Sequence, residues 1–109
     1  MENPALGASK NMLDLEIMSS VAAQMMEGES IEVDGERIPV TRTSSQRLKT
    51  VRFRMDGRGY QAIEQNPEKP SRWGELARTG HRVVQFREIG SGKYVAVAVD
   101  GKVTEYAPR

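Results

Sequence analysis

RVVQFREIGSGKYVAVAVDGKVTEY, residues 82–106, reads as three β-strands joined by two short turns. Asp100-Gly101 separates YVAVAV from KVTEY. Asp-Gly between β-rich runs is a strong hairpin signal, because a type I′ turn needs positive φ at both central residues. The two-residue loop sets a register with Val99 opposite Lys102, Ala98 opposite Val103, Val97 opposite Thr104 and Val95 opposite Tyr106. The looser turn Ile89-Gly90-Ser91-Gly92, counted as four residues, pairs Glu88 with Lys93, Phe86 with Val95 and Val84 with Val97. One face is therefore expected to carry Val84, Phe86, Val95, Val97 and Tyr106. The other carries Val83, Tyr94, Ala96, Ala98 and Val103. Apolar residues on both faces predict a central strand covered on both sides. Small Ala96 and Ala98 leave room for a helix.

Asp-Gly recurs upstream. In SIEVDGERIPVTRT, residues 30–43, a turn at Asp34-Gly35 pairs Val33 with Glu36, Glu32 with Arg37 and Ile31 with Ile38. Pro39 lacks an N–H and marks an edge or an end. In LKTVRFRMDGRGYQAIE, residues 48–64, a turn at Asp56-Gly57 pairs Phe53 with Tyr60, Val51 with Ala62 and Lys49 with Glu64. Arg52 and Arg54 then share the other face with Thr50, Gln61 and Ile63. Flanking residues match poorly among the three turns, so the recurrence reads as reuse of one good turn rather than a duplication.

Ahead of the hairpins, a helix is expected from an N-cap at Ser9 or Asn11 to about Met26, with Gly28 just beyond. Residues 1–8 read as a flexible lead-in, unless Asn3-Pro4 begins a longer helix. Leu15, Met18, Val21, Ala22, Met25 and Met26 fall on one broad side. The simplest expectation is that this side covers the chain's own sheet. The sharper one is self-association, a homodimer or a protein partner meeting Leu15, Met18, Ala22, Met25 and Met26, since methionine surfaces adapt to many shapes. Residues 44–47 are a linker and residues 65–70 a loop. Ser71 caps a short helix ended by Gly80, whose Trp73, Leu76 and Ala77 are expected on the Ala96/Ala98 side.

Composition narrows the field. At 109 residues, 38% hydrophobic and 28% charged, the chain suits one globular domain, expected over residues 9–109. It contains no cysteine, which excludes disulfides, thiol catalysis and cysteine zinc sites. No apolar run approaches the ~20 residues of a membrane span, so no membrane partner is expected. The absence of a signal-peptide pattern makes the cytoplasm the expected compartment. Net charge is +1, yet residues 1–36 hold one basic and eight acidic residues while residues 37–87 hold twelve basic and four acidic. Either the acidic part lies against the basic part, or the basic part meets an anionic partner.

Motifs for catalysis are few. His81, the one histidine, falls at a helix C-terminus, where a structural or capping role is the simplest account. No serine lies in a nucleophile elbow, and Gly90-Ser91-Gly92 joins two strands rather than a strand and a helix. No cofactor is expected. The positive cue is basic and aromatic: Arg47, Lys49, Arg52, Arg54 and Arg58 cluster on or beside the 48–64 hairpin, with Phe53 between two arginines. Such a ribbon could lie along a nucleic-acid backbone.

These observations predict an α+β fold. An N-terminal amphipathic helix packs on a mostly antiparallel sheet of about seven strands, built from two hairpins and a C-terminal meander, with one short inserted helix. Three functions compete. The leading expectation is a non-catalytic interaction module. Nucleic-acid binding through the 48–64 hairpin comes second. A small-ligand protein or enzyme with a site near Trp73, His81 and Tyr94 comes third.

Overall fold

The computed structural model describes residues 4–43 and 47–106, with side chains from residue 14 onward. Residues 1–3 of the expected lead-in and 44–46 of the expected linker lie outside the described residues. The fold is α+β. Helix α1 (Pro4–Glu27) is followed by the hairpin β1 (Ser30–Val33) and β2 (Glu36–Pro39). The remaining elements are β3 (Thr41–Arg42), β4 (Lys49–Met55), β5 (Arg58–Glu64), α2 (Arg72–Arg78), β6 (Val83–Glu88), β7 (Tyr94–Val99) and β8 (Lys102–Tyr106). Strands β3 to β8 form a six-stranded antiparallel meander in chain order, and β1–β2 is a separate two-stranded sheet.

The three Asp-Gly turns set this frame. Asp34, Asp56 and Asp100 adopt φ of 51°, 54° and 54°, and the glycines after them 78°, 76° and 83°. That is the doubly positive backbone of a type I′ turn, which twists the same way as the strands it joins. The β1–β2 and β4–β5 registers are those expected from the turns, including Ile31 opposite Ile38 and Phe53 opposite Tyr60.

The meander departs from expectation at two bulges. Next to its turn, β6–β7 is in the expected register: Glu88 N–H donates to Lys93 O at 2.8 Å and Arg87 pairs with Tyr94. The register then shifts, so that Phe86 faces Ala96 rather than Val95, and Val84 faces Ala98 rather than Val97. Val95 is the extra residue, and it joins the core with Ala96. A one-residue shift exchanges the faces of the strand. The expected partition of β7 is thereby corrected: Ala96 and Ala98, not Val97, share a face with Val84 and Phe86. A second shift, in β7–β8, puts Glu105 rather than Thr104 opposite Val97 and Ala96 rather than Val95 opposite Tyr106.

One face of the meander is the core. Val51, Phe53, Tyr60, Ala62, Val84, Phe86, Ala96 and Ala98 cluster there with Met18, Val21, Ala22 and Met25 of α1 and with Ile31 and Val33 of β1. The alanines do admit a helix, and that helix is α1. Burying Met18 and Met25 completely stabilises the fold by about 1.5–3 kcal/mol each. Helix α1 also runs through Ser9 and Asn11, so neither is its N-cap; it starts at Pro4. Its C-terminus is held by Lys49, whose Nζ donates to Met26 O at 3.2 Å.

Helix α2 lies on the opposite face, against β6. Its expected place on the Ala96/Ala98 side is already filled by α1. Trp73 instead lines a depression with Gln85 and Val97. Ser71 caps α2 by accepting from Gly74 N–H at 3.2 Å. Gly80, at φ 99°, closes it: Gly80 N–H reaches Ala77 O and His81 N–H reaches Leu76 O, a Schellman ending. No helix among the described residues is long and apolar enough to cross a membrane.

Candidate functional site

The outer face of the meander, opposite α1, is covered in part by α2 and is open over β4 and β5 around Arg52 and Arg54. Alternation puts Val51, Phe53 and Met55 inward, so Arg52 and Arg54 point outward, and both are exposed. The registers then carry one row across four strands: Arg52 opposite Gln61, Gln61 opposite Arg87, Arg87 opposite Tyr94. At the usual strand spacing this row is roughly 14 Å wide. Arg87 Nη2 donates to Gln61 Oε1 at 2.7 Å, which fixes the guanidinium along the row, while its Nε is buried without a partner. Tyr94 ends the row with 58% of its surface exposed, unusual for a tyrosine on a sheet. Beside Arg54, Gly59 leaves room for Ile89, a second exposed apolar side chain.

Tyr94 and Gln85 separate two depressions in this face. One, of about 400 Å³, is lined by Trp73, Gln85, Tyr94, Val97 and Glu105. The other, of about 390 Å³, is lined by Leu48, Ile63, Gln65, Lys69, Gln85 and Tyr94. Gln85 Nε2 donates to Gln65 Oε1 at 2.7 Å, which holds the divide in place. The Arg72 guanidinium lies 4.2 Å from the centre of the Trp73 ring and pairs with Glu105. The loop before α2 is pinned as well: Arg78 Nη1 donates to the carbonyls of Pro67 and Lys69. Internal bonds thus hold part of each wall: Gln85 in both, Glu105 in the first and the Lys69 backbone in the second.

The five basic candidates divide. Arg52 and Arg54 share the outer face. Lys49 has the parity of Val51 and is used at the end of α1. Arg58 lies opposite Met55 and pairs with Glu88 at 3.3 Å. Arg47 sits before β4 at φ 57°, its carbonyl accepting from Arg42 Nη1. Arg87, Gln61 and Tyr94 complete the row instead. Of the methionine-face residues, Met18, Ala22 and Met25 are buried in the chain's own core, and Leu15 and Met26 pack at its margin. The trio Trp73, His81 and Tyr94 also divides: Trp73 and Tyr94 share a depression, whereas His81 lines a separate one of about 190 Å³.

His81 is part of a clamp between the α2–β6 junction and the last turn. Its Nδ1–H donates to Asp100 Oδ2 at 2.9 Å, while Arg82 N–H donates to Asp100 Oδ1 at 3.0 Å. The Arg82 backbone bond first, and the His81 bond second, hold the Asp100 carboxyl below the usual carboxylate range. At the other end of the core, Tyr106 Oη donates to Asp14 at 3.1 Å. Burial and that bond push the Tyr106 hydroxyl up to about 12. Among the described residues no three His, Asp or Glu side chains gather to hold a metal ion.

Among the described residues, the acidic third of the chain does not mask Arg52 and Arg54. Asp14, Glu16 and Glu27 ride on α1, and Glu32, Asp34 and Glu36 on the β1–β2 hairpin, both packed on the core side. Glu27 approaches Arg82, at 3.9 Å, rather than the outer row. No family model matches this chain, and neither does any curated protein or solved structure.

Proposed function

We propose that this chain is a small non-catalytic binding module and that its partner is nucleic acid, held on the outer face of the meander. The observation that carries the reading is the placement of exposed Arg52 and Arg54 on the face opposite α1, with Arg52 in one row with Arg87 and Tyr94. Arginines fixed on a sheet make charge-assisted, bidentate bonds to phosphate and lose little side-chain freedom in doing so. A net charge of only +1 does not oppose this, because the acidic residues of α1 and of the β1–β2 hairpin are carried on the core side. Self-association through the methionine face is the weaker reading, since Met18, Ala22 and Met25 are already enclosed.

Fluorescence anisotropy with labelled oligonucleotides tests the proposal. Binding is expected at low salt, falling by tenfold or more between about 50 and 200 mM salt as counterions cease to be released favourably. An Arg52→Ser, Arg54→Ser variant is expected to bind at least tenfold more weakly while keeping the wild-type circular dichroism spectrum. No binding by the wild type at low salt, or undiminished binding by the variant, would sink it.

A further inference from the structure

We infer that the strand bound is single, and that Tyr94 is the platform on which a base stacks; this rests on the proposed nucleic-acid function. A duplex presents phosphates and shields its bases, so it would engage arginines and leave an exposed tyrosine with nothing to do. A single strand exposes base faces, which stack on aromatic rings irrespective of sequence. Tyr94 is the most exposed large hydrophobic residue of the described chain, at 58%, and it stands in one row with Arg52, Gln61 and Arg87. Phosphate-binding and base-stacking groups are thereby set side by side on one rigid surface.

The depressions on either side of Tyr94 strengthen the assignment. A base stacked on the ring has a place to sit in the hollow that Tyr94 shares with Trp73 and Gln85. At about 400 Å³ this hollow falls within the size range of small-molecule sites. Gln85 lines both hollows, and its amide can exchange hydrogen bonds with the polar edge of a base. Trp73 is held in place by Arg72, which is itself tied to Glu105, so the far wall does not need to be ordered on binding. The geometry needs no sequence preference, and none is assigned.

Trp73 is the only tryptophan in the chain, which supplies an internal reporter at the site. The experiment uses the full chain with oligodeoxyuridylate, oligouridylate and a duplex, each of about twelve nucleotides or base pairs, within the site sizes typical of such surfaces. Either single strand is expected to bind at least tenfold more tightly than the duplex and to quench Trp73 fluorescence. The comparison of the two single strands tells DNA from RNA as the preferred backbone. Tyr94→Ala is expected to weaken single-strand binding by roughly 5- to 100-fold, and Tyr94→Phe by less than about twofold, because stacking needs the ring and not the hydroxyl. Tyr94 is exposed, so both variants should fold. Equal or tighter duplex binding, still dependent on Arg52 and Arg54, would overturn the single-strand assignment and leave nucleic-acid binding standing. Wild-type affinity in Tyr94→Ala would do the same. Absence of binding to all three probes would remove both.

Discussion

Gly74 shows how one missing side chain fixes the wall of the candidate site. A Cβ at this position would lie 2.1 Å from the Lys69 carbonyl oxygen, a backbone atom that cannot swing aside. The same carbonyl is held by Arg78, and Gly74 N–H by Ser71, so the loop and the first turn of α2 are interlocked. Gly74→Ala should therefore destabilise the protein despite alanine's better helix propensity, by about 1–3 kcal/mol in urea denaturation, the usual cost of overpacking. A neutral or stabilising result would mean that the loop yields. Tyr106 gives a spectroscopic test at the same scale. Its folded pKa of about 12 exceeds the ~10 of an unfolded tyrosine, so its contribution to stability is complete below pH ~10 and is lost as pH rises through 12. An ultraviolet titration should show one phenolate appearing near that upper value, absent in Tyr106→Phe. In Asp14→Asn that step should move down without reaching the ordinary value, since burial, the larger cause, remains. The sign is opposite for Asp100, whose lowered pKa contributes stability above the normal carboxylate range that is lost as pH falls through its folded value. Asp100→Asn keeps a residue that tolerates the positive φ and removes the charge. Its melting temperature should fall less than the wild type's on acidification, as measured by circular dichroism.

Among the elements, what was legible in the sequence and what was not follow from the range of the forces involved. Type I′ turns are decided by two adjacent residues, so Asp-Gly alone sets the pairing beside each such turn, as in Val33 with Glu36 and Val99 with Lys102. The bulges are decided by what lies across the sheet. With the flat register, Val95 and Val97 would have faced α1. The bulge keeps Val95 in the core and presents Ala96 and Ala98 there in place of Val97, and α1 comes close enough that a Cβ on Gly101 would touch Ala23 at 3.4 Å. No local signal in YVAVAV records that demand. Arg52 and Arg54 are visible as a pair because alternation within one strand places them, whereas Arg87 and Tyr94 join them only through the β5–β6 register, which spans a long connection with no tight turn to set it. The position of α2 was missed for the same reason: the small-residue face was identified, but which helix would claim it depended on chain length and topology. If close approach is why β7 is bulged, enlarging Ala98 must push the layers apart. Ala98→Leu should cost about 1–3 kcal/mol in urea denaturation, while the same change at Val97, on the outer face, should cost less. Equal costs at the two positions would argue that the helix is not closely seated on β7.

Across the whole molecule, the sheet separates the acidic first third from Arg52 and Arg54. Helix α1 binds both sheets and blunts their exposed edges: Gln24 exchanges two hydrogen bonds with the Glu32 backbone of β1, and Ser19 Oγ accepts from Val103 N–H of β8. That arrangement keeps the acidic residues of α1 and the β1–β2 hairpin on the core side, away from Arg52 and Arg54, while the net charge stays at +1. A surface that worked through net charge would respond equally to loss of any cation. A surface that works through the fixed row would not. The dependence of binding on salt separates the two, because the slope of log K against log salt counts phosphates neutralised, at about 0.7 per contact for single strands. Removing Arg52 and Arg54 together should lower that slope by about 1.4, whereas Arg37→Ser, on the β1–β2 hairpin, changes net charge by the same amount per residue and should leave the slope unaltered. An equal response to Arg37→Ser and to a single Arg52→Ser change would place the anion on no particular face. It would return the outer row to the status of an ordinary solvated surface.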